Sequence, residues 1–314
     1  MMAGPRISII VPVYNGKGMI ERCIESLLAL DYDEQHREIL VVDNGSTDGT
    51  GAILKRYPVT RLAEARRGST AARNAAISRA RGKIVAFTDA DCVVAADWAR
   101  VIERVFDNTD IDAVIGFADG INLTLHAGFA QRRWEESWFT RVGSSYALNY
   151  PGIDTRNCAL RKSVLEAHRG FDADFEYCAD LELSMRLNGG KANIVFCPEM
   201  RVRHKNPTSF REIRDKSRKQ LPHVMRMLQR ASTEDSLPFP RSAFHGIAER
   251  DFGQLGMSVA ISGMRGIRRM LIIGTTVCLK LGIDRPCSFK LYKLFFGVCY
   301  DLAILEAKRD GSWR

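Results

Sequence analysis

Two aspartates, Asp89 and Asp91, follow an apolar segment in the sequence VAFTDADCVV (Val85–Val94). Carboxylates this close repel each other, and the repulsion raises the pKa of one of them unless a cation neutralises the pair. Mg²⁺ and Mn²⁺ prefer carboxylate oxygens, and Mg²⁺ typically binds one or two carboxylates together with substrate phosphates. The pair therefore predicts a site for Mg²⁺ or Mn²⁺ carrying a diphosphate. The same spacing also arises by chance, and Asp91 could instead cap the following helix.

Polar residues also follow two other apolar segments. ISIIVPV (Ile7–Val13) is followed by YNG, and EILVVD (Glu38–Asp43) by NGSTDGT. In a parallel sheet covered by helices, ligands bind beyond the carboxyl ends of the strands. Three polar strand ends at one edge therefore indicate a binding site.

Three common ligand-binding motifs are absent from the sequence. No G-x-G-x-x-G follows an apolar segment, which argues against a nicotinamide-dependent dehydrogenase, and no G-x-x-x-x-G-K-[ST] occurs, which argues against a P-loop NTPase. The segment DNGSTDGT (Asp43–Thr50) has the wrong order of carboxylates and glycine for an EF-hand calcium loop.

Strand-like apolar segments alternate with helical patterns, such as GMIERCIESLLAL (Gly18–Leu30), through the first two hundred residues. This alternation predicts an α/β fold with a mostly parallel sheet, and the continuously apolar strands predict helices on both of its faces. Further along, Ala159–Phe175 predicts a helix that ends at Gly170 and then a loop. Cys178–His204 predicts a helix followed by two strands with a turn at Pro198.

The net charge of +9 is concentrated in the last third of the chain. Residues 1–200 contain 24 Lys and Arg against 27 Asp and Glu, whereas residues 201–314 contain 22 against 10. Such an excess favours a polyanionic partner, namely a membrane surface, a nucleic acid or an acidic substrate. A solvated helical surface would carry the same charges.

The apolar segments of this last third are all shorter than the roughly 20 residues that span a bilayer, because arginines and lysines interrupt them. They suit helices that lie on a membrane surface and amphipathic core helices equally well. Two prolines in STEDSLPFPRS (Ser232–Ser242) predict a linker. We expect one domain over residues 1–230, a linker over 231–243 and a basic helical extension over 244–314.

The eight cysteines are scattered, without a C-x-x-C or a zinc spacing, which favours reduced thiols. The N-terminal segment shows no signal-peptide pattern. We therefore expect a cytoplasmic protein, with membrane contact at the inner face through the basic extension.

Four segments together resemble family 2 glycosyltransferases of the GT-A fold: ISIIVPVYNG, ILVVDNGSTDGT, STAARNAAISRARGKIVAFTDADC and RGFDADFEYCADLELSMRL. They occur in the family's order and at its usual intervals, over roughly Ile7 to Arg211. The resemblance implies a GT-A catalytic domain, a nucleotide-sugar donor and an inverting transfer.

The resemblance also implies roles for individual residues on the donor side. Asp91 would bind the metal, and His204, after a late strand, would complete the metal or diphosphate site. A single histidine is also common at protein surfaces and in cores. Contacts to the nucleotide are implied for six residues: Pro12, Val13, Tyr14, Asp43, Arg73 and Asp89.

On the acceptor side, the resemblance assigns Asp180 as the general base. The family has a Glu-Asp pair at this place, whereas this sequence has Ala179 before Asp180. Glu182 matches another acidic position of the family, and Glu176 lies four residues before Asp180, but neither replaces the missing glutamate in register. Asp180 could also act only as a carboxylate at the N-terminus of a helix.

The sequence therefore predicts an inverting glycosyltransferase of surface polysaccharide or glycolipid synthesis. The expected donor is a UDP-sugar, the expected acceptor is a saccharide or a lipid-linked molecule, and no nucleic acid partner is expected. A retaining transferase, a nucleotidyltransferase and a catalytically inactive binding protein of the same fold remain alternatives. The presence of Ala179 in place of the family's glutamate is the reason to retain the inactive binding protein as an alternative.

Overall fold

The computed structural model describes residues 5–122, 124–142, 145–149 and 152–233, together with 264–265, 267, 269–271 and 294. The described residues form two compact units. The larger contains the residues up to Asn122 and Glu135–Asn206, and the smaller contains those between them and those from Pro207 onward. The predicted linker beyond Thr233 and most of the predicted basic extension lie outside the described residues.

Ten strands, eight α-helices and one short 3-10 helix, Glu34–His36, are bounded in the described chain. The strands are β1 Ile7–Val13, β2 Arg37–Asp43, β3 Thr60–Ala63, β4 Ile84–Phe87, β5 Cys92–Val94, β6 Ala113–Gly120, β7 Phe139–Val142, β8 Ser145–Leu148, β9 Cys158–Arg161 and β10 Ile194–His204. The α-helices are α1 Ile20–Leu28, α2 Thr50–Leu54, α3 Ser69–Ile77, α4 Trp98–Phe106, α5 Leu125–Trp138, α6 Lys162–Ala167, α7 Ala179–Gly189 and α8 Phe210–Thr233.

Eight of the strands form one sheet in the order β3-β2-β1-β4-β9-β6-β10-β5. The pairs among β1 to β4 are parallel, as is β6 with β10, whereas β9 and β5 run antiparallel to their neighbours. The predicted mostly parallel α/β sheet is therefore confirmed. Val13 lies opposite Asp43, and Phe87 lies opposite Ile10. The three polar strand ends consequently meet at one edge.

The apolar sequence of the central strands is explained by burial on both faces. All seven residues of β1 and all four of β4 are buried. Helix α1 buries Ile20, Cys23, Ile24 and Leu27, which repeat at helical spacing and form one apolar stripe. No helix in the described part of the chain combines the length and the apolar character needed to cross a lipid bilayer.

Two local predictions differ from the structure. The first residues of the predicted helix Ala159–Phe175 belong to β9, and the helix there, α6, is limited to Lys162–Ala167. β9 is inserted between β4 and β6, so pairing on both sides overrides the helical preference of its residues. The predicted turn at Pro198 is instead an irregularity within the single strand β10, between Cys197 and Arg201.

Asn157 joins three elements in the core next to β9. Its side-chain oxygen accepts a hydrogen bond from Trp98 Nε1 at 2.8 Å, and its Nδ2 donates to the carbonyl oxygens of Phe117 and Met200 at 3.0 and 2.7 Å. Gly116 leaves room for this contact, since a Cβ there would lie 2.4 Å from Asn157 Nδ2. One buried amide thus holds α4, β6 and β10 together.

Replacing Asn157 with leucine, which has a similar volume and no polar atoms, should therefore destabilise the fold. Each buried group that loses its hydrogen bond costs about 1–3 kcal/mol, so we expect the free energy of unfolding to fall by about 3 kcal/mol. Urea unfolding measures this quantity. The same replacement at Asn108, which is exposed, should change it by less than about 1 kcal/mol. Equal effects at both positions would contradict this role of Asn157.

Candidate active site

Asp89 and Asp91 lie in the turn that connects β4 to β5. Arg73, on α3, donates from Nη2 to Asp89 Oδ1 at 2.7 Å. His204 is the last residue of β10 and pairs with Cys92 of β5. This register places His204 Nε2 3.3 Å from Asp91 Oδ2. A helix and a distant strand thus supply one partner to each carboxylate.

The two carboxyl groups have different electrostatic environments. Burial raises the pKa of Asp89, the charge of Arg73 opposes this, and the nearby Asp91 raises it further. Burial alone would also raise the pKa of Asp91, but the hydrogen bond and charge of His204, with the charge of Arg156, hold it below its ordinary value. Asp91 is therefore the stronger candidate for an ionised metal ligand.

The Asp91–His204 pair fits a divalent cation. Neighbouring ligands of an octahedral Mg²⁺ ion lie about 3 Å apart, close to the 3.3 Å between Asp91 Oδ2 and His204 Nε2. Within the described residues no third histidine, cysteine or carboxylate joins them, so ligand oxygens and water would complete the coordination. His204 Nδ1 is buried and makes no hydrogen bond to the described part of the protein, although metal-binding histidines usually have one.

Two residues that the sequence analysis missed, Asp154 and Arg156, belong to the same cluster. Arg156 Nε lies 3.0 and 3.1 Å from the two carboxylate oxygens of Asp154. Thr88 Oγ1, directly before Asp89, donates to the carbonyl oxygen of Arg156 at 3.0 Å. Although burial disfavours its charge, Asp154 raises the pKa of Arg156 and keeps it cationic. Neither residue stands in a motif, so only the tertiary structure identifies them.

Asp180 is the second residue of α7, and its Oδ1 accepts a hydrogen bond from the amide of Leu181 at 2.9 Å. Ser184 Oγ donates to the carbonyl oxygen of Asp180 and accepts from the amide of Ile153 at 2.9 Å, which ties α7 to the segment of Asp154. Burial raises the pKa of Asp180, the charge of Asp154 raises it further, and Arg73 opposes both. Asp180 therefore shares the electrostatic environment of the Asp89–Asp91 turn.

The charges of this cluster leave room for a divalent cation. Four carboxylates, Asp89, Asp91, Asp154 and Asp180, face two guanidinium groups, Arg73 and Arg156. When all six of these groups are ionised, they leave two net negative charges. One divalent cation would balance them, and like charges in a partly buried site otherwise raise each other's pKa.

The remaining predicted site residues lie at the same sheet edge. Pro12 and Val13 are buried at the end of β1, whereas the next residue, Tyr14, is 49% exposed. The guanidinium carbon of Arg67 lies 4.4 Å from the centre of the Tyr14 ring. Asp43, at the end of β2, accepts a hydrogen bond from the amide of Ser46 at 2.9 Å. An exposed ring and a half-buried carboxylate are thus available at this edge.

Comparisons with known proteins agree with the sequence resemblance. The family model described as Glycosyl transferase family 2 matches residues 8–169. Glycosyltransferase AglE of Haloferax volcanii is 31% identical over 170 residues, which are 52% of this chain and 54% of AglE. The chain spans about half or less of the length of the curated relatives it matches.

Solved structures show the same fold. The mannosyltransferase PcManGT from Pyrobaculum calidifontis, in complex with GDP-Man and Mn²⁺, superposes with a TM-score of 0.64 at 19% identity, over 99% of this chain and 89% of that one. TarS 1-349 of S. aureus, in complex with UDP-GlcNAc, gives 0.53 at 16% identity, over 98% and 92%. At these identities the likeness establishes the α/β architecture alone.

Proposed function

Because the chain belongs to glycosyltransferase family 2, we propose that it is an inverting enzyme that transfers a sugar from a nucleotide-diphosphate donor to an acceptor hydroxyl. The expected donor is a UDP-sugar, and the expected acceptor is a saccharide or a lipid-linked molecule of surface polysaccharide or glycolipid synthesis. The observation that carries the proposal is the shared cluster of Asp89, Asp91 and Asp180. In this proposal, the cluster would place the donor phosphates near the candidate base.

On the donor side, we assign the nucleotide to the edge formed by β1, β2 and β4. The exposed ring of Tyr14 would stack on the base, the Asp43 carboxylate would bind the ribose, and Pro12 and Val13 would support this contact from β1. Asp89, held by Arg73 at 2.7 Å, would face the ribose. Aromatic rings that are open on one side suit such stacking.

Asp91 and His204 would hold Mg²⁺ or Mn²⁺ beside the donor diphosphate. When bound, the cation supplies positive charge that stabilises the nucleotide diphosphate as a leaving group. Arg156 adds a second, permanent positive charge near Asp89 and Asp91. Asp154 fixes the orientation of that guanidinium.

On the acceptor side, Asp180 would accept the proton of the attacking hydroxyl. The acceptor oxygen forms a bond to C1 of the sugar, the bond from C1 to the diphosphate oxygen breaks, and the configuration at C1 inverts. A general base must be ionised to accept the proton, and it works best when its pKa lies near the working pH. The raised pKa of Asp180, caused first by burial and then by Asp154, supports this role.

A binding protein without catalytic activity is the second candidate, and Ala179 favours it. The glutamate that precedes the base in the resemblance is missing, and Ala179 is buried, so its side chain offers the acceptor no polar group. Such a protein would bind the nucleotide sugar without turning it over. A retaining enzyme would instead keep its activity without Asp180.

We also propose contact with an anionic membrane surface, where a lipid-linked acceptor would lie. The basic excess of residues 201–314 supports it, because juxtaposed lysines and arginines attract anionic lipids. Sedimentation with vesicles of anionic and of neutral lipid would measure this contact.

The test of the donor site is calorimetric titration of UDP, and then of GDP and dTDP, into the protein with Mn²⁺ and with EDTA. We expect one nucleotide to bind with Mn²⁺ and to bind at least about tenfold more weakly with EDTA, a difference of about 1.4 kcal/mol. The same nucleotide carrying different sugars would then be screened for release. Absence of binding by folded protein to all three nucleotides would refute the proposed donor site.

A further inference from the structure

We propose that helix α3 sets the position of the candidate base Asp180 relative to the donor carboxylates, and that Thr70 and Asn74 are the positioning residues through which it acts. This inference rests on the function proposed above. The side chains of Thr70 and Asn74 form hydrogen bonds with main-chain atoms in the segment that leads to Asp180. Neither residue is among those that the sequence analysis assigned to the site.

One part of α3 holds the donor side. Arg73 is 5% exposed, and its Nη2 donates to Asp89 Oδ1 at 2.7 Å. Its Nη1 donates to Ser69 Oγ, one turn earlier in the same helix, at 3.1 Å. Arg73 is thereby fixed on the helix, and Asp89 is fixed to Arg73.

The adjacent part of α3 holds the segment that leads to α7. Asn74 bonds the main chain of Phe171 in both directions, with Nδ2 donating to the carbonyl oxygen at 2.7 Å and Oδ1 accepting from the amide at 2.9 Å. Thr70 Oγ1 donates to the carbonyl oxygen of Phe175. Gly170 permits this approach, since a Cβ there would lie 2.7 Å from Asn74 Oδ1.

Residues 168–175 also contact helix α7 and strand β4. Arg186 of α7 donates to the carbonyl oxygens of His168 and of Gly170, the latter at 2.9 Å. The buried ring of Phe171 packs edge-on against Phe87, the last residue of β4, with the ring centres 5.4 Å apart. Residues 171–175 are therefore fixed between α3, β4 and α7, and Asp180 follows five residues later.

Consecutive residues of one helix thus hold the two halves of the site. Arg73 holds Asp89 and also lies over the Phe171 ring, with its guanidinium carbon 5.8 Å from the ring centre. Asn74 and Thr70 bind the main chain of residues 171–175. Loss of either side chain would loosen this segment, which leads to Asp180, while the hydrogen bond between Arg73 and Asp89 remains. A misplacement of about 1 Å costs on the order of 100-fold in rate. The expected signature is slower transfer with unchanged nucleotide affinity.

The test compares Thr70→Val, which keeps the shape and removes the hydroxyl, with Thr70→Ser, which keeps the hydroxyl, and adds Asn74→Ala. Ser78→Ala, at the exposed end of α3, is the matched control. For each variant we would measure Mn²⁺-dependent affinity for UDP or GDP, the rate of nucleotide release from the sugar donor that the wild type uses, and amide hydrogen exchange by mass spectrometry.

We expect Thr70→Val and Asn74→Ala to keep nucleotide Kd within about twofold and to release nucleotide about tenfold or more slowly. Amide exchange should rise in peptides covering 171–180 and stay unchanged in those covering 84–91. Thr70→Ser and Ser78→Ala should behave like the wild type. Nucleotide affinity that falls together with the rate, or a rate that does not change, would overturn the proposal.

If the wild type neither binds a nucleotide nor releases one from a sugar donor, the proposed function is refuted. The exchange data then decide the positioning claim alone. Faster exchange confined to 171–180 in Thr70→Val and Asn74→Ala would support it, and exchange equal to that of Thr70→Ser would contradict it.

Discussion

Asp91→Asn is expected to remove metal-dependent nucleotide binding. Asparagine keeps the size of the side chain and a hydrogen bond to His204, so the fold should persist while the ionised oxygen next to His204 Nε2 is lost. Loss of a residue that only supports a metal ligand costs about 10–100-fold in affinity, so loss of the ligand itself should cost at least about 100-fold. Calorimetric titration of nucleotide with Mn²⁺ measures the change.

Asp110→Asn provides the matched control, because it removes the same charge from an exposed position after α4. It should bind nucleotide like the wild type. If Asp91→Asn retained Mn²⁺-dependent binding at the wild-type Kd, the metal site would not involve Asp91. The cation would then have to be bound elsewhere.

The distinction between the two aspartates follows from their partners. Asp89 is bonded to a buried, permanent cation, Arg73, and its pKa is raised by burial. Asp91 faces His204, whose charge and hydrogen bond lower the Asp91 pKa against the effect of burial. A carboxylate oxygen and an imidazole nitrogen side by side are a donor set that a divalent cation can use. Their spacing alone does not separate the two, because both follow one strand. The sequence analysis assigned Asp91 to the metal and Asp89 to the nucleotide only through the family resemblance.

The fold was predictable where local pattern and burial agree. β1 and β4 are continuously apolar because both of their faces are covered, and the polar ends of β1, β2 and β4 meet because neighbouring strands are parallel. β9 was not predictable in this way. Its residues favour a helix, and only pairing with β4 and β6 makes them a strand.

The candidate site was predictable only in part for a similar reason. Asp89 and Asp91 stand out by spacing, whereas His204 and Asp180 were assigned through the family resemblance, and their roles stay predictions. Asp154 and Arg156 form their ion pair in a segment without periodicity or motif. Their place beside Asp180 depends on the bond from Ile153 to Ser184, a contact between residues 31 positions apart that no local pattern indicates.

Asp180→Asn should abolish transfer and leave nucleotide binding intact. A general base typically contributes about 10²–10⁴-fold to the rate, and asparagine cannot accept the proton of the acceptor. The rate of sugar transfer and the nucleotide Kd, measured on the same preparation, test the loss of transfer and the unchanged nucleotide binding. Glu176→Gln, an exposed carboxylate four residues earlier, is the control and should transfer normally. Transfer that survives in Asp180→Asn, with the configuration at C1 retained, would favour a retaining enzyme.

The raised pKa of Asp180 adds two signed expectations. Because the base must be ionised, the transfer rate of the wild type should fall as pH decreases through a pKa above the usual value of about 3.9 for aspartate. The free energy of unfolding should depend on pH in the opposite direction to the transfer rate. Burial and Asp154 raise the folded-state pKa, so between the unfolded and folded pKa values the native chain holds a proton that the unfolded chain has lost, and stability declines as pH rises through that window.

At pH values above the folded-state pKa, the ionised Asp180 lowers the free energy of unfolding of the metal-free protein by a constant amount. Replacement with asparagine removes this destabilisation. We therefore expect Asp180→Asn, without metal or nucleotide, to unfold at a higher temperature at pH 7, by about 2–4 °C for each kcal/mol regained. At a pH below both pKa values the two proteins should unfold at closely similar temperatures. A variant that is less stable than the wild type at pH 7 would show that Asp180 contributes to the fold, as a carboxylate at a helix N-terminus does. A gain in stability together with a loss of transfer is instead what a residue retained for catalysis should give.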